Sequence, residues 1–166
     1  LTHDGGGSSN ADNGASMLLL GEGAFFSGTT VKNCTFTGTE SVTKAGITGA
    51  YVKAIRYVRG LCSPCTATID HFQDNTFTNV LGAAFDGNFG NGYIERNVID
   101  GSNCIGDENA CIQVYNSINT TIRYNLGKRI SPDRNTGLRF VGVRTTDTTS
   151  GKKSSVFMYN NTVSFL

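Results

Sequence analysis

The sequence predicts an all-β fold of stacked repeats, a solenoid, from two recurring words. The first is a six-residue phrase that reads apolar, two polar, Asn, any residue, apolar; its copies begin at Val31, Phe72, Ile94, Ile122 and Met158. The second is a strand-like word that ends in an apolar residue and follows each of the first four copies: Ala45-Gly46-Ile47, Ala83-Ala84-Phe85, Ala110-Cys111-Ile112 and Thr136-Gly137-Leu138. Two words alternating at a period of roughly 20 to 45 residues indicate a solenoid. Its units bury their apolar faces only by stacking.

The fourth position of the six-residue phrase is predicted to form a buried ladder. An Asn at the same turn of every coil can bond to the backbone and to the Asn above and below it, so a stack satisfies amides that one isolated buried Asn could not. One copy has Cys at this position, and the copy at Ile122 ends in Gly127 instead of an apolar residue. The predicted ladder comprises Cys34, Asn75, Asn97, Asn125 and Asn161.

Together the two words resemble the repeat of the pectate-lyase-like superfamily of right-handed parallel β-helices. The resemblance covers about Ser16 to Leu166. It implies a right-handed, single-stranded parallel β-helix of about five to six coils, with residues 1–166 forming one domain. It does not imply an activity, because this architecture hosts lyases, hydrolases, phage tailspikes, adhesins and filament subunits.

Three segments interrupt the repeats. Residues 1–16 are rich in Gly, Ser, Asn and Asp and read as an irregular loop, followed by a first strand at Met17–Leu20. Residues 51–67 and 141–155 are predicted to be long loops. The first of these begins with alternating basic, apolar and aromatic residues, which fits either a β-hairpin arm or a short helix. The second is polar and reads as an exposed flap.

The C-terminal residues continue to alternate as a strand up to Leu166. Phe165 and Leu166 would then lie at an open end of the solenoid, where unpaired strand edges recruit other strands. We therefore expect a segment of a longer solenoid, or a subunit that stacks on further coils or on copies of itself.

Composition narrows the class of partner. The formal net charge is +1 and 16% of the residues are charged, so neither nucleic acid nor an anionic membrane surface is indicated. No run of 18 apolar residues is present, and no membrane span is predicted. The abundant Asn, Thr, Ser and Gly fit the flat polar sides of a solenoid.

The five cysteines favour disulfides. Cys62 and Cys65 form one local pair, Cys104 and Cys111 form another, and Cys34 remains as a free thiol at a buried ladder position. A redox role for the Cys-x-x-Cys would need a βαβ surround, and zinc would need a second closely spaced pair. Reduced structural thiols and a metal site are the alternatives. Disulfides form in oxidising compartments, so we expect an exported, extracellular protein.

Three Asn-x-Ser/Thr sequons begin at Asn33, Asn119 and Asn160 and are candidate N-glycosylation sites. Their number is what chance predicts from this composition. The side chains of Asn33 and Asn160 should face outward, since each comes just before a buried ladder position.

In the resembling superfamily, sugars usually bind along the face made by the second word. The residue after the inward apolar position of each copy should point outward. This gives a predicted substrate-binding row: Thr48, Asp86, Gln113 and Arg139. A lyase of this type would need several carboxylates on calcium and a basic residue, and a hydrolase would need paired carboxylates. One Asp provides neither, so we assign no catalytic residue, no metal ligand and no cofactor. Asp86 and Arg139, with calcium, are the alternative.

Other candidates lie outside that row. Residues 91–96 are faintly similar to a word of alginate-lyase-like proteins, but Glu95 and Arg96 are most simply solvated strand residues. His71 follows Asp70, which could orient its imidazole, and the simpler interpretation is a surface histidine. Four tyrosines are expected to face outward, where they could stack on sugar rings: Tyr93, Tyr115, Tyr124 and Tyr159.

We therefore expect an extracellular structural or adhesive β-helix module, such as a spike or surface-filament subunit, with a carbohydrate-binding face and a polysaccharide or glycan surface as its partner. The alternative is a polysaccharide lyase or glycoside hydrolase acting on an acidic polysaccharide.

Overall fold

A computed structural model describes residues 16–20, 28–38, 53–57, 69–80, 82–87, 89, 91–100, 110–115, 117, 119–130, 139–144 and 155–165. Over these residues the chain is all-β and contains no helix, hence none long and apolar enough to cross a membrane. The strands are β1 (Ser16–Leu20), β2 (Thr30–Lys32), β3 (Thr35–Thr37), β4 (Lys53–Tyr57), β5 (Asp70–Gln73), β6 (Thr76–Thr78), β7 (Phe85–Gly87), β8 (Gly92–Glu95), β9 (Val98–Asp100), β10 (Ala110–Tyr115), β11 (Thr120–Arg123), β12 (Leu126–Ile130), β13 (Arg139–Arg144), β14 (Val156–Tyr159) and β15 (Thr162–Phe165).

The strands form three parallel sheets, and each sheet takes every third strand of the chain. Sheet 1 has the order β1-β4-β7-β10-β13, sheet 2 the order β2-β5-β8-β11-β14, and sheet 3 the order β3-β6-β9-β12-β15. Three successive strands therefore make one coil, and the next coil adds one strand to each sheet. The predicted all-β, parallel architecture is confirmed, as expected of a β-solenoid.

The core consists of three apolar rows, one from each sheet. The rows are in register across the coils: Leu18, Ile55, Phe85, Ile112 and Val141 in sheet 1; Val31, Phe72, Ile94, Ile122 and Met158 in sheet 2; Phe36, Phe77, Ile99, Gly127 and Val163 in sheet 3. Met158, on the edge strand β14, is exposed and lies outside the core. Phe72, Phe77 and Phe85 are fully buried and meet edge to face, with ring centroids 6.1 Å and 4.8 Å apart. Each coil thus buries its apolar side chains against the next.

The surroundings of Gly127 explain why this copy of the phrase lacks its last apolar residue. It occupies a core position, beside Ile99 and Val163. A Cβ atom at this glycine would lie 2.7 Å from a ring carbon of Phe140, which belongs to sheet 1. The Phe140 ring therefore fills the space that an apolar side chain occupies in the other coils.

The Asn ladder runs between sheets 2 and 3. The Oδ1 atom of Asn97 accepts from the backbone N–H and the Nδ2 amide of Asn75, both at 3.0 Å. Asn125 Oδ1 accepts in the same way from Asn97, at 3.1 and 2.9 Å, and Asn161 from Asn125, at 3.1 and 3.0 Å. Each Nδ2 also donates to a backbone carbonyl of the neighbouring coil, for example from Asn97 to Phe72 at 3.0 Å. The ladder fixes one turn of every coil although the spacing between its members varies from 22 to 41 residues.

Cys34 departs from the prediction in one respect. Its backbone N–H donates to Asn75 Oδ1 at 3.0 Å, so it does occupy the first ladder position as a free thiol. However, it is exposed rather than buried, because β2 and β3 are edge strands of sheets 2 and 3 over the described residues. Cys111 is buried in β10. Cys62, Cys65 and Cys104 lie outside the described residues, so both bridges remain predictions.

Both predicted long loops contain strands. Residues 53–57 form β4, a parallel strand of sheet 1, and neither a hairpin arm nor a helix. In the second segment β13 continues to Arg144, and the next strand of the same coil, β14, begins at Val156. Ile55 of β4 and Val141 of β13 occupy the core row of sheet 1.

Candidate functional site

The predicted row on sheet 1 does not form. Asp86 and Gln113 are strand neighbours, but the other neighbour of Asp86 is Arg56 and that of Gln113 is Gly142. Thr48 lies outside the described residues, and its expected place beside Asp86 is taken by Arg56 on β4. Arg139 pairs with Ala110, three positions before Gly142. The apolar words at residues 45–47 and 136–138 predict the wrong core residues for these two coils, since Ile55 and Val141 occupy the core row of sheet 1.

The two predicted residues that do meet are not open to solvent. Asp86 is 3% exposed and Gln113 is 6% exposed. A ligand row needs polar groups at an accessible surface, whereas these two side chains are buried. Sheet 1 therefore offers no support for Asp86 and Arg139 as a catalytic pair.

The outer face of sheet 2 carries the richest set of functional side chains among the described residues. Since alternate residues of a strand point to opposite faces, the residues on either side of the buried row point outward. They form two rows in register, which we call the outer face of sheet 2: Thr30, His71, Tyr93, Thr121 and Phe157 in the first, and Lys32, Gln73, Glu95, Arg123 and Tyr159 in the second.

Planar side chains lie against one another across this face. The rings of His71 and Tyr93 are stacked, with centroids 5.7 Å apart and an angle of 16° between their planes. The Arg123 guanidinium carbon lies 5.0 Å from the Tyr93 centroid, 5.7 Å from that of Tyr124 and 5.9 Å from that of Tyr159. A cation over several ring faces is held by their quadrupoles. Tyr124 and Tyr159 remain 50% and 41% exposed, so this cluster is accessible.

A network of ion pairs next to these rings joins successive coils. The Glu95 side chain is 5% exposed and accepts from Arg96 Nη1 and Arg123 Nε, each at 2.5 Å. Arg96 also donates to both carboxylate oxygens of Asp74, at 2.8 and 3.1 Å. Lys32 Nζ lies 3.7 Å from the same carboxylate. The network extends from the first coil to the fourth, and the bond from Arg123 Nη1 to Tyr159 Oη, at 2.8 Å, reaches the fifth.

The pKa values of these carboxyl groups follow from their contacts. Burial opposes the ionisation of Glu95, but hydrogen bonds from Arg123 and Arg96 outweigh it and hold its pKa below the ordinary value. The hydrogen bond from Arg96 lowers the pKa of Asp74. Hydrogen bonds to Asp74 and Glu95 raise the pKa of Arg96, and hydrogen bonds to Tyr159 and Glu95 raise the pKa of Arg123. Glu95 is therefore an ionised, fully engaged acceptor rather than a proton donor.

The His71 side chain contacts residues of this network and points away from the Asp70 side chain. The Asp70 carboxylate is buried and accepts from the backbone N–H of Thr29 at 2.9 Å. Consecutive strand residues point to opposite faces, so Asp70 does not orient the imidazole. Instead His71 Nδ1 lies 2.9 Å from Gln73 Nε2, and the same amide nitrogen lies 2.9 Å from Glu95 Oε1.

The sequence predicted some of the outward side chains of this face. Of the four tyrosines expected outside, Tyr93, Tyr124 and Tyr159 come together here, whereas Tyr115 lies on β10 in sheet 1. Arg96 is exposed as expected, but Glu95 is buried and not solvated. Aligning the copies of the six-residue phrase reveals the two rows, because the residue before the phrase and the second residue of the phrase each repeat the same outward position in every coil.

The three sequon asparagines are alike in their exposure and their backbone conformation. Asn33, Asn119 and Asn160 are all exposed and have φ values of 53° to 55°. Their side chains are accessible to modification, and glycosylation remains a prediction. No three His, Cys, Asp or Glu side chains of the described residues cluster in a way that could hold a metal ion.

No protein-family model, curated protein or solved structure matches this chain. The function must therefore be argued from the chain's own geometry.

Proposed function

We propose that this protein is a non-catalytic glycan-binding module built on a right-handed, single-stranded parallel β-helix of the pectate-lyase-like type. The ligand lies on the outer face of sheet 2. The observation that carries this proposal is the accessible cluster in which Arg123 is surrounded by the rings of Tyr93, Tyr124 and Tyr159.

The chemistry of the cluster suits a carbohydrate. Aromatic faces pack against the C–H surfaces of sugar rings, while tyrosine hydroxyls and guanidinium N–H groups bond to sugar oxygens. The rows also run from coil to coil, with about 4.8 Å between neighbouring strands. An extended polymer lying along the solenoid would meet a new side chain at each coil, which suits a chain of repeating units.

An extracellular adhesive or structural role is consistent with the repeat, the paired cysteines and the exposed sequons. In such a role the partner is a polysaccharide or a glycan-coated surface. Further β-helix coils, or copies of this chain, would extend the binding face beyond the five coils described.

Binding to a glycan array and titration calorimetry with its best ligands test this proposal. Tyr93→Ala and Tyr159→Ala should each weaken binding about fivefold or more, since stacking on an aromatic ring and its hydrogen bonds contribute about 1–3 kcal/mol. Tyr115→Ala removes a tyrosine from sheet 1 and is the matched control, with affinity unchanged. Thermal unfolding of each variant separates lost binding from lost folding. Equal losses in all three variants would contradict the assignment to sheet 2.

The enzymatic alternative, an enzyme acting on acidic polysaccharide through Asp86 and Arg139, has weaker support because these residues are three register positions apart. Incubation with alginate, pectate and glycosaminoglycans, with and without calcium, tests it through reducing ends and the absorbance of unsaturated uronates. Activity that is lost in Asp86→Asn or Arg139→Ala would replace the binding proposal with the enzymatic one.

A further inference from the structure

Both carboxylates of the charge network on the outer face of sheet 2 are occupied by donors. Both oxygens of Glu95 are occupied, Oε1 by Gln73 and Arg96 and Oε2 by Arg123. Both oxygens of Asp74 accept from Arg96. With Lys32 the network contains three cationic side chains and two carboxylates, so its formal charge is positive.

Glu95 determines how Gln73 and His71 present their nitrogen atoms. An ionised carboxylate only accepts, so the Gln73 group 2.9 Å from Glu95 Oε1 must be the NH₂ group of the amide. The same NH₂ group lies 2.9 Å from His71 Nδ1, which must then accept. A neutral imidazole that accepts at Nδ1 carries its proton on Nε2. His71 is thereby fixed as an N–H donor.

Arg123 supplies a second donor next to the same ring. Its Nε is bound to Glu95 and its Nη1 to Tyr159, while Nη2 makes no hydrogen bond to any described residue. The guanidinium lies over Tyr93, on which His71 is also stacked. Tyr93 therefore separates two fixed donors, His71 Nε2 and Arg123 Nη2, on one accessible face.

Resting on the proposed function, we propose that this face has an anion-recognition site around Tyr93 that takes a carboxylate or sulfate group carried by the bound glycan. Arg123 donates to the anion and His71 donates to a further oxygen of the glycan, while a sugar ring packs on the neighbouring tyrosines. Glu95 is a positioning residue that acts through Gln73 and Arg123. An anionic group only accepts hydrogen bonds, and the Arg123 guanidinium only donates them, so the two are complementary.

The test compares matched ligands on the unmodified protein by titration calorimetry. The carboxylate arm uses an oligouronate and the same oligosaccharide after reduction of its carboxyl groups to alcohols. The sulfate arm uses a sulfated glucan and the unsulfated glucan. We expect at least one anionic ligand to bind about tenfold or more tightly than its neutral counterpart, because a charge-assisted hydrogen bond is lost. The advantage should shrink at high salt.

Two variants locate the site. Arg123→Gln should abolish most of the preference for the anionic ligand, whereas Arg129→Gln removes a positive charge elsewhere and should leave the preference intact. Arg129 is suitable because its side chain is 61% exposed and bonds to Asp100 in sheet 3. Equal loss in both variants would mean that overall charge, and not this site, attracts the ligand.

A separate measurement tests the positioning role of Glu95. The nitrogen chemical shifts of His71 should show a single Nε2–H tautomer at neutral pH, and Glu95→Gln should convert it to a mixture. The chain has two histidines, so a His71→Gln variant assigns the signals. An unchanged tautomer in Glu95→Gln would overturn the positioning role. Equal affinity for charged and neutral ligands would overturn the anion site and leave the proposed function intact, whereas binding of no glycan would overturn both.

Discussion

At the residue scale, the position just before the ladder holds a backbone conformation that most residues avoid. Asn33, Asp74, Arg96, Tyr124 and Asn160 all have φ between 53° and 56°. Asn and Asp tolerate this left-handed region better than other residues with a side chain, and three of the five are of these types. The conformation recurs at the same turn of every coil, so it is part of the repeat and not a local irregularity.

Asn160 allows a direct test of this turn because it is exposed and its side chain is not needed for the core. Asn160→Val should lower the free energy of unfolding by about 1–2 kcal/mol, since a β-branched residue strongly disfavours positive φ. Asn160→Gly should change it by less than about 0.5 kcal/mol, because glycine adopts this conformation readily. Urea unfolding measures both. Ser164→Val, at an exposed strand position, is the control and should be tolerated. Equal losses in the two valine variants would argue against a strained turn.

Glu95 shows what single residues do not reveal in a sequence. Its outward phase is readable, because it lies one residue beyond the buried Ile94. Its burial is not readable, since it depends on Arg96 beside it and on Gln73 and Arg123 in neighbouring coils, which are 22 and 28 residues away. Only the three-dimensional stacking brings these side chains to the carboxylate.

At the scale of elements, the ladder holds sheets 2 and 3 in register. Asn97 is fully buried and its side chain makes four hydrogen bonds, two accepted from Asn75 and two donated to Phe72 and Asn125. Asn97→Ala should destabilise the protein by about 3 kcal/mol or more, because several buried polar groups lose their partners at about 1–3 kcal/mol each.

Asn161 is the matched control for that prediction. It occupies the same ladder position in the last described coil and is only partly buried. Asn161→Ala should cost clearly less, since water can replace some of the lost bonds. Chemical denaturation of both variants, with the wild type, gives the comparison. Equal losses would show that the ladder contributes the same at its end as in its middle, against the burial argument.

The sequence predicted sheets 2 and 3 much better than sheet 1. The six-residue phrase includes a buried polar residue between two apolar ones, and this combination fixes two strands and the turn between them. The strands of sheet 1 have only a short apolar word, and several segments of the chain contain one. Residues 45–47 and 136–138 fitted the word, but Ile55 and Val141 occupy the core row. The choice depends on pairing with β7 and β10, which is not a local property.

At the scale of the whole molecule, one continuous network of charges joins the coils on the outer face of sheet 2. Lys32 comes from the first coil, Asp74 from the second, Glu95 and Arg96 from the third and Arg123 from the fourth. The sequence provided the charges but not their connection, because each ion pair joins residues from different coils or from a turn whose geometry the sequence does not fix. The same face thus supplies the candidate site and a set of contacts between coils.

These contacts should make the stability of the molecule depend on pH below about 4.3, the ordinary glutamate value. The pKa of Glu95 is lowered in the folded state, so its contribution is complete above the unfolded-state value and is lost as the pH falls through the folded-state value. Asp74 has the same sign. Glu95→Gln should be less stable than the wild type at pH 7 by about 1–3 kcal/mol, since the three hydrogen bonds that the charged carboxylate accepts are weakened or lost. The difference should shrink as the wild-type carboxylate is protonated.

Denaturation at pH 7, 5, 4 and 3 measures the difference in stability between Glu95→Gln and the wild type. Asp100→Asn is the control, because the exposed ion pair between Asp100 and Arg129 should contribute less than about 1 kcal/mol. A difference between Glu95→Gln and wild type that stays constant over this range would mean that Glu95 stabilises the fold through packing and not through its charge.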